Sequence, residues 1–163
     1  MKLYLLRHAT AADIAPSDAE RPLTMQGEEE ARFVGVAFTK LGARPTRIFT
    51  SPLLRARQTA EIAAVAMNFA GQIEPLDELQ NQASTADVLR ELKGRGNFVE
   101  ALLVGHIPSL SELLAALLAS ENSDALAFGK AGAACVELME LRPKAGRLCW
   151  FMGQKQLARL AIV

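Results

Sequence analysis

The sequence predicts an α/β fold: a three-layer α/β/α sandwich with a mostly parallel central sheet and a C-terminal antiparallel hairpin. Three observations lead there. Short apolar runs of strand length alternate with longer segments of helical periodicity from the first residues onward. The run over residues 99–104 is apolar without strict alternation, as a central strand covered on both faces requires. Near the end, strand-like runs over 135–141 and 147–152 flank Pro143-Lys144-Ala145-Gly146, the pattern of a hairpin closing one side of the sheet.

Taken in order, residues 3–6 form the first strand, and a polar stretch through Asp13, Pro16, Asp18, Glu20 and Pro22 is loop. A helix starts near Thr24, whose hydroxyl can cap it. Glu28, Glu29 and Glu30 in the first turns are favoured by the helix dipole, and Ala31, Val34, Phe38 and Leu41 make the apolar stripe. Gly42 is a stop signal. Arg47-Ile48-Phe49-Thr50 is a short strand, followed by Ser51-Pro52 and a helix to about Met67 with Ala56, Ala60, Ala63 and Met67 on one face, small enough for tight packing on a sheet. Residues 72–76 read as a strand, and Ser84-Thr85-Ala86-Asp87 opens a helix ending by Gly94. After the strand over 99–104, Ser109-Leu110-Ser111-Glu112 has capping-box spacing, and Leu110, Leu113, Leu114, Leu117 and Leu118 make a strongly apolar helix.

Composition narrows the function classes. A chain of 163 residues, half of them hydrophobic, suits one domain over 1–163 with a substantial core. Eighteen basic residues balance eighteen acidic ones, so no diffuse positive field is available for a nucleic acid or an anionic membrane, and any anion site must be local. Arg7 interrupts the N-terminal apolar run well short of a signal-peptide core, and no segment of about 20 apolar residues follows, so a cytoplasmic location is expected. Cys135 and Cys149 read as a pair of buried thiols rather than a disulfide, and no zinc-type Cys/His spacing occurs.

The chain has two histidines, His8 and His106, and each lies just beyond an apolar strand-like run. In an open α/β sheet, ligands bind outside the carboxyl ends of the strands. If the strands ending near Leu6, Thr50 and Val104 are parallel, then Arg7-His8, the Ser51–Arg55 segment and Gly105-His106 emerge at one edge. Two imidazoles and two guanidiniums around one crevice suit a tetrahedral dianion, because guanidinium forks match phosphate oxygens bidentately. The chemistry this suggests is phosphoryl transfer.

These residues resemble the histidine phosphatase superfamily, whose hallmark is Arg-His-Gly or Arg-His-Ala at the first strand, here Arg7-His8-Ala9. The resemblance extends through Arg21-Pro22-Leu23-Thr24 with Gly27, through Ser51-Pro52-Leu53-Leu54-Arg55-Ala56-Arg57-Gln58-Thr59-Ala60, and through Val104-Gly105-His106-Ile107-Pro108. The short length and the Arg21-Pro22-Leu23-Thr24 block are most similar to the compact SixA-type phosphohistidine phosphatases.

That resemblance implies a phosphoglycerate mutase-like fold and His8 as the nucleophile that takes up the phosphoryl group, water then hydrolysing the phosphoenzyme. It implies that Arg7, Arg55 and His106 stabilise the equatorial oxygens, with His8 kept neutral by the neighbouring arginines, His106 protonated beside the bound phosphate dianion, and neither metal nor cofactor. Arg21 is implied at the phosphate; its alternative is a surface arginine paired with Glu20 or Asp18. Arg57 is set aside, since two residues along a helix turn it about 200° from Arg55. Glu78, in Leu76-Asp77-Glu78-Leu79, is the candidate general acid; its alternative is a carboxylate on the pocket rim. Gln80 to Thr85 leaves little to cover the site, which suits a phosphorylated protein such as a histidine phosphotransfer domain or a phosphocarrier in a signalling pathway. Two other readings stay open: a small general phosphomonoesterase, and a non-catalytic phosphate-binding module.

Overall fold

The computed structural model describes residues 1–162. Its sheet contains β1 (Lys2–Arg7), β2 (Arg47–Thr50), β3 (Ile73–Pro75), β4 (Glu100–Gly105), β5 (Ala133–Leu138) and β6 (Gly146–Met152), in the spatial order β3-β2-β4-β1-β5-β6. The first four in that order run parallel, β5 is antiparallel to β1, and β6 pairs antiparallel with β5. The helices are α1 (Met25–Lys40), α2 (Leu54–Ala66), α3 (Thr85–Gly94), α4 (Ser109–Leu118) and α5 (Gln154–Ile162).

The period-2 alternation of strand side chains sorts the core into two faces. Leu3, Leu5, Phe49 and Leu103 pack with Val88, Leu89 and Leu92 of α3 and Leu110, Leu113, Leu114 and Leu117 of α4. Tyr4, Leu6, Ile48, Leu102 and Val104 point the other way, onto Ala31, Val34 and Phe38 of α1, Ala56, Ala60 and Ala64 of α2, and Leu157 of α5. This is the three-layer arrangement the sequence predicts. The small residues of α2 serve α1 as well as the sheet: a Cβ on Gly35 would lie 2.5 Å from the Ala63 carbonyl oxygen.

Several elements differ from expectation. Helix α5 was not foreseen; it is short, and Leu157 is its one fully buried side chain. Strand β5 begins at Ala133 and ends at Leu138, because its alanines fit against Leu5 and Leu6 of β1. Val99 lies outside β4 and is exposed, its carbonyl accepting from the Lys2 amide. Ser109 does not form a capping box: it is already the first helical residue of α4, and its hydroxyl bonds Asn81 Oδ1 and the Gln80 carbonyl instead. Both cysteines are free, but Cys149 is exposed; only Cys135 is buried, and burial beside Cys149 pushes its thiol up to about 12. The Thr24 cap forms as expected, and the helix expected to open at Ser84 does so through a capping box with Asp87. Among the described residues, no helix is long and apolar enough to cross a membrane.

Candidate active site

The parallel register brings three chain exits together. Arg7 of β1 lies opposite Gly105 of β4, and Thr50 of β2 lies opposite Val104. The ladder continues one residue further: the His8 amide donates to the Gly105 carbonyl at 3.0 Å and the Ser51 amide to the Val104 carbonyl at 2.9 Å. His8, Ser51 and His106 therefore leave adjacent strands at the same edge, and the two imidazole centroids stand 5.0 Å apart. Arg55, in the first turn of α2, closes the group and is 7% exposed.

Each imidazole has a defined partner. His8 Nδ1 is 2.8 Å from the Ala9 carbonyl oxygen, which can only accept, so the neutral ring carries its proton on Nδ1 and keeps a lone pair on Nε2. His106 Nε2 lies 2.8 Å from the Ser51 hydroxyl, a fully buried group that also accepts from the Leu53 amide. Burial lowers His8 to about 4, reinforced by the positive charges of Arg55, Arg7 and Arg21 against the contrary pull of its Ala9 bond. Burial, then His8 and Arg55, lowers His106 to about 3. Both rings are thus neutral at pH 7, and the charge expected on His106 depends on a phosphate dianion beside it. Without a countercharge, a buried imidazolium beside two guanidiniums is too costly.

The arginines are held by the backbone. Arg7 Nη1 donates to the Phe128 carbonyl at 2.8 Å, in the loop before β5. Arg55 Nη1 donates to the Asp18 carbonyl at 2.7 Å and Nη2 to its carboxylate at 3.1 Å. The Nε–H groups of Arg7 and Arg55 are buried with no protein acceptor. Arg21 donates from Nε to the Ala12 carbonyl at 2.7 Å and from Nη1 to Asp18 Oδ1 at 3.2 Å, so one carboxylate bridges Arg21 and Arg55. The two sequence alternatives for Arg21 merge: it pairs with Asp18, and through Asp18 it joins the cluster. Those same two arginines hold the Asp18 carboxyl below its usual range. Arg57 points away and pairs with Glu61.

Glu78 is a different case. It sits in the 3-10 turn Asp77–Leu79, which packs close enough to β4 that a Cβ on Gly105 would come 3.1 Å from the Leu79 carbonyl. Its half-buried side chain lines a surface cleft with Asp77, Gln80, Gln82 and Ala83, none of them in the His/Arg cluster.

The family model of the histidine phosphatase superfamily (branch 1) matches residues 3–85, from β1 to the start of α3. The chain belongs to the histidine phosphatase superfamily. The match takes in Arg7, His8, Arg21 and Arg55 and stops short of His106. The phosphohistidine phosphatase SixA of Escherichia coli K12 is 32% identical over 124 residues, spanning 75% of this chain and 77% of its own. An uncharacterized protein of Picosynechococcus is 37% identical over 152 residues, spanning 91% of this chain and 88% of its own. A solved structure of the protein histidine phosphatase SixA complexed with tungstate superposes with a TM-score of 0.87 at 30% identity, covering 96% of this chain and 99% of that one.

Three supporting residues carry no site role in the sequence alone. Asp18 stood only as a surface partner for Arg21. Thr59 accepts from the Ala9 amide at 3.1 Å and donates to the Arg55 carbonyl at 2.6 Å, joining the His8 loop to α2. Glu30, grouped with the dipole-facing acids, is 6% exposed and turned toward the His8 loop. Its signal was legible: Glu30 falls on the buried stripe of α1, three residues after Gly27 and four before Val34.

Proposed function

We propose that the protein is a phosphohistidine phosphatase that works through a covalent phosphohistidine at His8. The observation that carries this reading is the state of His8: buried, neutral, fixed through Nδ1, with its Nε2 lone pair available beside a cluster of cations. His8 Nε2 forms a bond to phosphorus as the bond from phosphorus to the substrate imidazole breaks. The leaving imidazole takes up a proton, and water then attacks the phosphoenzyme, releasing inorganic phosphate and restoring His8. Arg7, Arg55 and His106 stabilise the equatorial oxygens, and the two unpartnered buried Nε–H donors support an anion in their midst. Arg21 acts from the rim through Asp18. A phosphate dianion supplies negative charge beyond that of Asp18 on the rim, and draws a proton onto His106.

The cations perform the charge neutralisation that a metal would supply elsewhere, so the reaction is proposed to be metal-independent. A phosphoramidate leaves readily once its nitrogen is protonated, and needs no acid at Glu78. The likeness to SixA supports a phosphorylated protein as substrate, with a histidine phosphotransfer domain or phosphocarrier as the partner. The test is phosphate release from a histidine-phosphorylated carrier protein beside an aryl phosphate, with native protein and His8→Ala, in the presence of a chelator. The expected result is chelator-insensitive release that is much faster on the carrier and lost in His8→Ala. Equal rates on both substrates would instead favour a general phosphomonoesterase, and binding without turnover a phosphate-binding module.

A further inference from the structure

Glu30 is a buried carboxylate without a cation: among the described residues, its partners are all neutral donors. Oε2 accepts from the Thr10 amide at 2.9 Å, and Oε1 accepts from the Thr10 hydroxyl at 3.1 Å and the Gln26 amide group at 2.8 Å. Burying such a group in the first turns of α1 is costly, and the cost is offset only if the bonds it makes are useful.

The useful bond is the one to Thr10. The Thr10 N–H and the Ala9 carbonyl belong to one planar peptide unit and point in opposite directions from it. The carbonyl end accepts from His8 Nδ1 at 2.8 Å, and the N–H end donates to Glu30 at 2.9 Å. The imidazole, the peptide and the carboxylate are therefore in series. A negative charge on the N–H side polarises the peptide and makes its carbonyl a better acceptor, which favours the Nδ1–H tautomer of His8. The nearest protein analogue in chemistry is a carboxylate orienting a histidine directly; here one peptide bond stands between them.

The fold is built to allow this approach. A Cβ on Gly27 would stand 2.0 Å from the Thr10 carbonyl oxygen, so only glycine lets α1 come close enough for Glu30, one turn on, to reach the loop. The Thr10 carbonyl, in the next peptide unit, accepts from the Thr24 amide at 3.0 Å, which anchors the loop just beyond the Ala9–Thr10 peptide.

We infer that Glu30 is a positioning residue for the nucleophile, setting the tautomer and orientation of His8 through the Ala9–Thr10 peptide. The inference rests on His8 being the nucleophile, as proposed above. The test uses Glu30→Gln, close in size and uncharged, and Glu30→Ala, in the full chain. Turnover of a histidine-phosphorylated carrier is measured alongside 15N spectra of labelled histidine, readable because the chain has only two histidines. Glu30→Gln is expected to lower kcat about tenfold with KM little changed, since a neutral acceptor replaces a charged one. Its His8 spectrum should shift from a pure Nδ1–H tautomer toward a mixture. Glu30→Ala, which frees the peptide, should lose about a hundredfold.

Native kcat and a native His8 spectrum in Glu30→Gln would overturn the inference. A loss of kcat with an unchanged His8 spectrum would overturn it equally, because the effect would not then pass through the imidazole. The spectrum is read without substrate, so it decides the role of Glu30 even if the carrier proves not to be turned over, an outcome that would count against the proposed reaction instead.

Discussion

Acid should unfold this protein earlier than its carboxylates alone would, because folding holds both histidines neutral. The ordinary histidine value is 6.5, and the folded pocket lowers His8 to about 4 and His106 to about 3. A group whose folded pKa is depressed contributes stability above its unfolded pKa and loses it as pH falls toward the folded value. The window is therefore pH 7 down to about 4, and its upper part isolates the histidines from the carboxylates. At pH 7 about a quarter of an unfolded histidine is protonated and at pH 5.5 about nine-tenths, while the folded rings stay almost wholly neutral at both. Each ring then loses about 1.2 kcal/mol over that interval, and the pair about 2.5 kcal/mol. The figure depends on the unfolded value alone, since neither folded ring titrates above pH 5.5. Urea unfolding at the two pH values measures it: the native chain should lose about 2.5 kcal/mol, His8→Gln and His106→Gln about half of that each. Stability that is flat between pH 7 and 5.5, or a loss undiminished in the double variant, would refute the claim that the folded pocket keeps both rings neutral. Saturating phosphate should shrink the loss, because the dianion favours the charged form of His106.

Three further outcomes follow from the same geometry. Gly27→Ala forces the Thr10 carbonyl back by more than 1 Å, and should cost about 2 kcal/mol in Tm-derived stability and on the order of a hundredfold in kcat. Asp18→Asn weakens the bridge between Arg21 and Arg55 but leaves the Asp18 carbonyl on Arg55; because the carboxylate is largely exposed, kcat/KM should fall by at most about fivefold. Glu78→Gln should leave phosphohistidine turnover at the native rate; a loss of tenfold or more would restore Glu78 as a proton donor.

The site was legible where strand arithmetic governs it. Arg7-His8 and Gly105-His106 each follow a buried run, and two parallel strands in register must deliver them to one edge. Arg55 could be placed because it opens the helix that follows the third such strand. What could not be read depends on how loops fold back. Asp18 reaches Arg55 across 37 residues, a contact no local pattern encodes. Glu30 was legible in part: it follows the rules for an exposed acid in the first turns of a helix, and its place on the buried stripe is the one local signal to the contrary. The charge on His106 depends on its surroundings: burial among guanidiniums keeps the ring neutral, and a phosphate dianion beside it favours the protonated form. Helix α5 was missed because nine residues with one fully buried leucine give periodicity too little to work on.

The most direct test of the account is to mix the protein with a carrier bearing labelled phosphohistidine, quench within one turnover, and locate the label. The account predicts acid-labile, alkali-stable phosphate on His8, appearing before free phosphate and absent from His8→Ala. Phosphate released with no label ever passing through His8, or a label that persists in His8→Ala, would contradict it.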